Sequence, residues 1–229
     1  YIAQGTDEGI KYPFHISEYA HSMGNAVGNL VDYWNIIESN NFIMGGAIWD
    51  WVDQAIYNYT PDGTRYWGYG GDFGDKPNDG MFCMNGVMRP DLSPKAQYFE
   101  VKKIYQNVGV KALDARTGRI EIFNKNYFEP LTDYEVRWSL YEDGHPVPTL
   151  TQQLLPAEQT AIKARERKTL QLDYRGYTLD PAKEYFLKVQ FLQKADKPWA
   201  KRGYVQMEEQ LLVQTPQRPA QVLAQQSAQ

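Results

Sequence analysis

Phe14-His15-Ile16-Ser17-Glu18-Tyr19-Ala20-His21-Ser22-Met23-Gly24-Asn25 is the stretch that decides how the chain is read. A short apolar run delivers a carboxylate, a tyrosine and a histidine to its far end and then breaks into small residues. The loose alternation with Phe14 and Ile16 predicts a strand of about 5 to 6 residues. Gly24-Asn25 and Gly28-Asn29 are turn chemistry, and from Leu30 the apolar positions Leu30, Tyr33, Trp34 and Ile37 recur at helical spacing, so a helix is expected over about residues 29–39. Strand, loop and helix make half of a βαβ unit. In parallel α/β folds the chemistry sits in loops beyond the carboxyl ends of strands, where Glu18 and His21 would fall.

A second apolar run, Phe42-Ile43-Met44-Gly45-Gly46-Ala47-Ile48-Trp49-Asp50-Trp51, is too continuous for a half-exposed strand and predicts one buried on both faces. Two strands joined by one helix predict parallel pairing. Gly45-Gly46 inside the run allows close backbone approach or marks a bulge. Trp49 and Asp50 then stand at the same level as Glu18. Residues 57–91 form a long polar excursion rich in glycine, and loops of that length are usually functional. Its Asp and Asn residues are hard oxygen ligands for a cation, but the same residue types close ordinary turns, and no EF-hand pattern is present. Ser93 as N-cap and Pro94 at the first helical position predict a helix over residues 94–108.

Beyond that helix the period changes to two. Residues 119–124, 134–140, 168–172, 184–191 and 204–213 alternate apolar with polar, separated by turn signals at Thr117-Gly118, Asp143-Gly144 and Arg175-Gly176. One buried and one wet face per strand predicts an antiparallel sandwich of about 100 residues. Residues 1–13 read as an incoming loop, and the tail from Gln214, rich in Gln, Ala and Pro, as a linker or disordered end.

The 229 residues, 42% of them hydrophobic, are enough for one large or two ordinary domains. A net charge of -4 with no basic run argues against a nucleic-acid partner. Cys83 is the single cysteine, so no internal disulfide forms and thiol usage demands no oxidising compartment. No apolar run reaches the ~18 residues of a membrane span. Tyr1 in place of an initiator methionine leads to the expectation of an internal piece of a longer protein, which leaves the compartment, cytoplasm or periplasm, open. The 17 Tyr and 6 Trp invite a sugar-stacking reading, against which stands the ordinary use of large rings as core.

From position alone Glu18 fits a nucleophile, a general acid, a metal ligand or a surface charge, and His21 a substrate-orienting group, a base or a structural hydrogen-bonding residue. The nucleophile elbow, phosphate loop, dinucleotide fingerprint and zinc spacing are all missing.

Three segments together resemble a known family. Ser17-Glu18-Tyr19-Ala20-His21-Ser22-Met23-Gly24-Asn25, Gly45-Gly46-Ala47-Ile48-Trp49-Asp50-Trp51-Val52-Asp53-Gln54, and Tyr69-Gly70-Gly71-Asp72-Phe73-Gly74-Asp75 with Phe82-Cys83-Met84-Asn85-Gly86 resemble the large multidomain β-galactosidases of glycoside hydrolase family 2. The resemblance implies an α/β region followed by an all-β one: the C-terminal part of a (β/α)8 TIM barrel over residues 1–108, an antiparallel immunoglobulin-like β-sandwich over 109–214, and a tail over 215–229. It implies that Glu18 is the catalytic nucleophile of a retaining β-galactosidase, that His21 binds galactosyl hydroxyls and that Trp49 is the floor under the sugar. It further implies that the Phe82 carbonyl and the Asn85 side chain share a Na+ ion, with Mg2+ ligands elsewhere in the full polypeptide, which is expected to be a homo-oligomer acting on β-galactosides. The family's acid/base glutamate follows an asparagine, and this sequence holds no Asn-Glu dipeptide, so the isolated chain is expected to be inactive. Specificity for a β-glucuronide or β-mannoside is the close alternative. A non-catalytic carbohydrate-binding or spacer module with a degenerate barrel remnant is the alternative from another class.

Overall fold

The computed structural model describes residues 12–216, so most of the expected incoming loop and most of the tail lie outside the described residues. The chain divides into two compact units, Tyr1–Tyr105 and Gln106–Gln229.

The first unit opens with β1 (Phe14–Tyr19), α1 (Leu30–Ser39) and β2 (Ile43–Ile48). The two strands pair in parallel, with Phe14 opposite Ile43, Ile16 opposite Gly46 and Tyr19 opposite Ile48. Glycine at 46 is required by that pairing, because a Cβ there would meet the Tyr19 ring at 2.9 Å and the Ile16 Cβ at 3.1 Å. The helix turns Leu30 and Ile37 inward, one turn of helix repeating the apolar side every three to four residues. Tyr19, Val27, Leu30, Val87 and Val101 form the core of this unit. Its polar seam is the Tyr19 hydroxyl, which accepts from Trp34 Nε1 at 2.9 Å and lies 2.6 Å from the Tyr105 hydroxyl. Burial first, and the Tyr19 hydroxyl second, push the Tyr105 phenol up.

Two expectations need correcting here. Only Ile43 and Gly45 of β2 are buried, while Met44 is 66% exposed, because among the described residues no strand or helix covers the second face. The second helix, α2 (Ala96–Ile104), starts later than Pro94 and ends before Val108. Lys95 N donates to the Val87 carbonyl and Met88 bridges Pro94, which holds residues 93–95 extended and moves the N-cap to Lys95. The glycine-rich excursion also contains an unforeseen hairpin, β3 (Ile56–Tyr59) with β4 (Arg65–Gly68), whose Tyr57 and Trp67 rings stack at 3.9 Å.

The second unit begins with β5 (Val108–Asp114), which joins β6 (Arg119–Asn124) and β10 (Arg167–Gln171) in a three-stranded antiparallel sheet. A five-stranded antiparallel sheet runs β12 (Val205–Gln214), β11 (Tyr185–Gln193), β7 (Tyr134–Glu142) and β8 (His145–Pro146), with β9 (Gln153–Leu154) also on β7. A short helix, α3 (Ala157–Thr160), lies between β9 and β10. Alternation is strict in β11, where Tyr185, Leu187, Val189 and Phe191 are buried and the residues between them are not. Ile120 and Ile122 of β6 and Val136, Trp138 and Leu140 of β7 enter the same apolar cluster, so both sheets bury one face in one core. Between β7 and β8 the loop is two residues, Asp143 and Gly144, with φ of 46° and 81°, the left-handed pair that matches strand twist in a tight hairpin.

Candidate active site

Alternation at the end of β1 sends Tyr19 into the core and leaves Glu18 exposed. Among the described residues the Glu18 carboxylate has neither a hydrogen-bond nor an ion-pair partner, so it is free to meet a ligand. The chain then turns at Ala20, φ 49°, and buries Ser22. Ser22 N donates to the Trp49 carbonyl at 2.7 Å, and Trp49 N donates to the Tyr19 carbonyl at 3.2 Å. The backbone of Trp49 is thereby tied on both sides of the Ala20-His21 corner, and its indole stays 42% exposed.

The peptide between Trp49 and Asp50 is cis. From Asp50 onward the chain runs against residues 83–88: Asp50 N donates to the Asn85 carbonyl at 2.6 Å, Val87 N to the Asp50 carbonyl at 3.0 Å, Met88 N to the Trp51 carbonyl at 2.9 Å, and Gln54 N to the Cys83 carbonyl at 2.9 Å. This seam delivers the 3-10 turn Gly80–Cys83 to the corner, where the Phe82 ring lies 5.9 Å from the His21 ring. These contacts set Trp49 against the Tyr19–Ser22 backbone, Asn85 against Asp50 and the Phe82 ring against His21, at the carboxyl ends of two parallel strands, with Glu18 one residue before the corner.

Asn85 is 3% exposed. Its Nδ2 donates to the Phe82 carbonyl at 3.0 Å, while its Oδ1 is buried with no donor among the described residues. A buried acceptor without a donor carries a desolvation cost, and the Phe82 carbonyl is met by the Asn85 amide nitrogen rather than by Oδ1. Two carboxylates of the glycine-rich loop are engaged by backbone donors: Asp72 Oδ2 accepts from Tyr69 N at 2.8 Å and Asp75 Oδ1 from Gly71 N at 3.0 Å. They close turns, and among the described residues no cluster of three His, Cys, Asp or Glu side chains is arranged to hold a metal.

Three residues of this neighbourhood had no role assigned from the sequence. Asp53, 4% exposed, accepts from Gly86 N at 2.8 Å and from Lys95 Nζ at 3.0 Å. A Cβ on Gly86 would overlap the backbone of Val52 and Asp53, so only glycine fits. The one signal in the sequence was an aspartate in the largely apolar stretch that follows β2. A cleft of about 310 Å³ lined by Gly24, Asn25, Asp53, Trp67 and Lys95 lies in the same unit and includes none of the five candidate residues, of which Glu18, Trp49 and Phe82 are exposed, His21 half-buried and Asn85 buried.

A parallel strand–helix–strand unit with its polar residues gathered at the strand ends is α/β architecture, in which chemistry sits beyond the carboxyl ends of the strands. Residues 3–110 match the model for glycosyl hydrolases family 2, TIM barrel domain, and residues 120–214 match that for β-galactosidase, domain 4. The chain belongs to glycosyl hydrolase family 2. It is 37% identical over 204 residues to a β-galactosidase of Priestia megaterium, covering 89% of this chain and 19% of that protein. It is 35% identical over 199 residues to one of Psychromonas ingrahamii, covering 87% and 19%. With one of Klebsiella pneumoniae it shares 42% over 139 residues, covering 61% and 13%. The chain thus spans no more than about a fifth of the length of these curated relatives.

Proposed function

We propose that this chain is the nucleophile-bearing part of a retaining β-galactosidase, acting within a longer polypeptide on terminal β-D-galactosyl residues. Glu18 attacks the anomeric carbon, forming a glycosyl ester as the aglycone oxygen leaves. That oxygen takes its proton from a second carboxyl group outside this chain. The same group, now a base, takes a proton from the water that cleaves the ester and restores the β configuration. Two carboxyls ~5–5.5 Å apart are needed for this outcome. The backbone ties on Trp49 carry the reading, since they anchor the residue to the chain on both sides of His21 and its exposed indole can serve as a floor for a pyranose.

His21 binds galactosyl hydroxyls. The Phe82 carbonyl and Asn85 Oδ1 hold Na+, which supplies a positive centre for a sugar hydroxyl, and the orphaned Asn85 oxygen favours that assignment. Mg2+ belongs with residues outside this chain. The second unit is an immunoglobulin-like sandwich made of its two sheets, and the complete enzyme is a homo-oligomer. A 2-deoxy-2-fluoro galactoside given to the complete enzyme should label the peptide carrying Glu18, read by mass spectrometry, and Glu18→Gln should lower kcat on the order of 10⁴-fold or more. A label on any other peptide overturns the assignment.

A further inference from the structure

Asp53 and Lys95 lie 42 positions apart, yet they meet in an ion pair whose side chains are 3% and 17% exposed. Asp53 Oδ1 receives Lys95 Nζ at 3.0 Å and Gly86 N at 2.8 Å, and Oδ2 receives Lys95 Nζ at 3.2 Å. The backbones of the same residues are also engaged: Asp53 N donates to the Met88 carbonyl at 3.0 Å and Lys95 N to the Val87 carbonyl at 3.1 Å. Both lie on the seam that carries Asn85. One carboxylate thus joins three segments, the strand end after β2, the turn bearing Phe82 and Asn85, and the start of α2.

We propose that the Asp53–Lys95 pair is a positioning latch that fixes the spacing between the Trp49 corner and the Phe82–Asn85 turn, and so sets the affinity of the cation site and, through it, of the sugar site. This rests on the cation reading given above. A buried charge left without its partner costs more than the pair contributes, so removal of Lys95 alone loosens the seam at Gly86, one residue from Asn85. Sub-ångström misplacement of ligand oxygens is enough to weaken a cation site whose donors are few and neutral.

The test uses the complete enzyme and reads Na+ binding directly, by 23Na relaxation, with KM and kcat for an aryl galactoside measured in parallel. Lys95→Met should raise the Na+ dissociation constant at least tenfold and raise KM more than it lowers kcat. Lys95→Arg, which keeps charge and donors, should restore most of both. The double variant Asp53→Asn/Lys95→Met leaves no unpaired buried charge and so keeps the fold, and it should still bind Na+ at least fivefold more weakly. Native Na+ affinity in that folded double variant overturns the latch. If Na+ binding is indifferent to Asn85→Ala as well, the cation reading falls and the latch falls with it; if Asn85→Ala abolishes binding while the double variant keeps it, the latch alone is wrong.

Discussion

Gly86 and Glu142 show at single positions how strongly local geometry constrains this chain. Because a Cβ at Gly86 would overlap the Val52 and Asp53 backbone, Gly86→Ala should cost about 1–3 kcal/mol or more through overpacking, read as a lowered denaturation midpoint. Glu142 accepts from Lys183, from the Tyr185 hydroxyl at 2.5 Å and from the Tyr177 hydroxyl at 2.9 Å, and these donors, in that order, hold its carboxyl down at about 2 against an ordinary 4.5. A depressed folded-state value means the unfolded chain binds the proton more readily. The stabilisation is therefore complete above about pH 4.5 and is lost as the pH falls toward 2. Acid titration of the melting temperature should show that loss, and Glu142→Gln should flatten it. Glu18, His21, Trp49, Phe82 and Asn85 could be named as candidates because each sits in a run of distinctive neighbours. Asp53 was not, because its role depends on Lys95, 42 positions away, and only the folded seam brings the two together.

Strands with one wet face could be read from the sequence, and strands whose burial depends on missing neighbours could not. In β11 every second residue is buried, so the alternation seen in the sequence is the alternation in the fold. In β5 only Val108 is fully buried and its last four residues are exposed, which erases the period and hides the strand behind the expected helix. The continuous apolar run of β2 was read as buried on both faces, whereas Met44 is exposed. Composition reports what a strand is built to meet, and β2 is built to meet more than the described residues provide. Helix α2 was misplaced for a related reason: Pro94 is compatible with a helix start, but the hydrogen bond from Lys95 to Val87 keeps the chain extended there. Strand pairing makes its own forecast. Phe191, 1% exposed and paired with Val136 on one side and Met207 on the other, should cost about 3–5 kcal/mol when replaced by alanine, whereas Gln190→Ala on the opposite face should stay within about 0.5 kcal/mol, both read by urea unfolding.

At the scale of the molecule, each unit has its own apolar core and only the first carries the candidate site. Retention chemistry needs one carboxylate to attack and another to protonate the leaving oxygen, and removing either member of such a pair leaves the other with little to do. On the proposed function this chain holds the attacking member alone, and the sequence offers no Asn-Glu pair to supply the other. The 229-residue chain by itself should therefore hydrolyse an aryl β-galactoside no faster than its Glu18→Gln variant, although it can still bind a sugar weakly through Trp49. Joined to the rest of the enzyme, the same chain should recover turnover, and Glu18→Gln should then remove it. Hydrolysis by the chain alone that vanishes with Glu18→Gln would mean that a proton donor lies within these residues, and the division of labour proposed for the two carboxyls would be wrong.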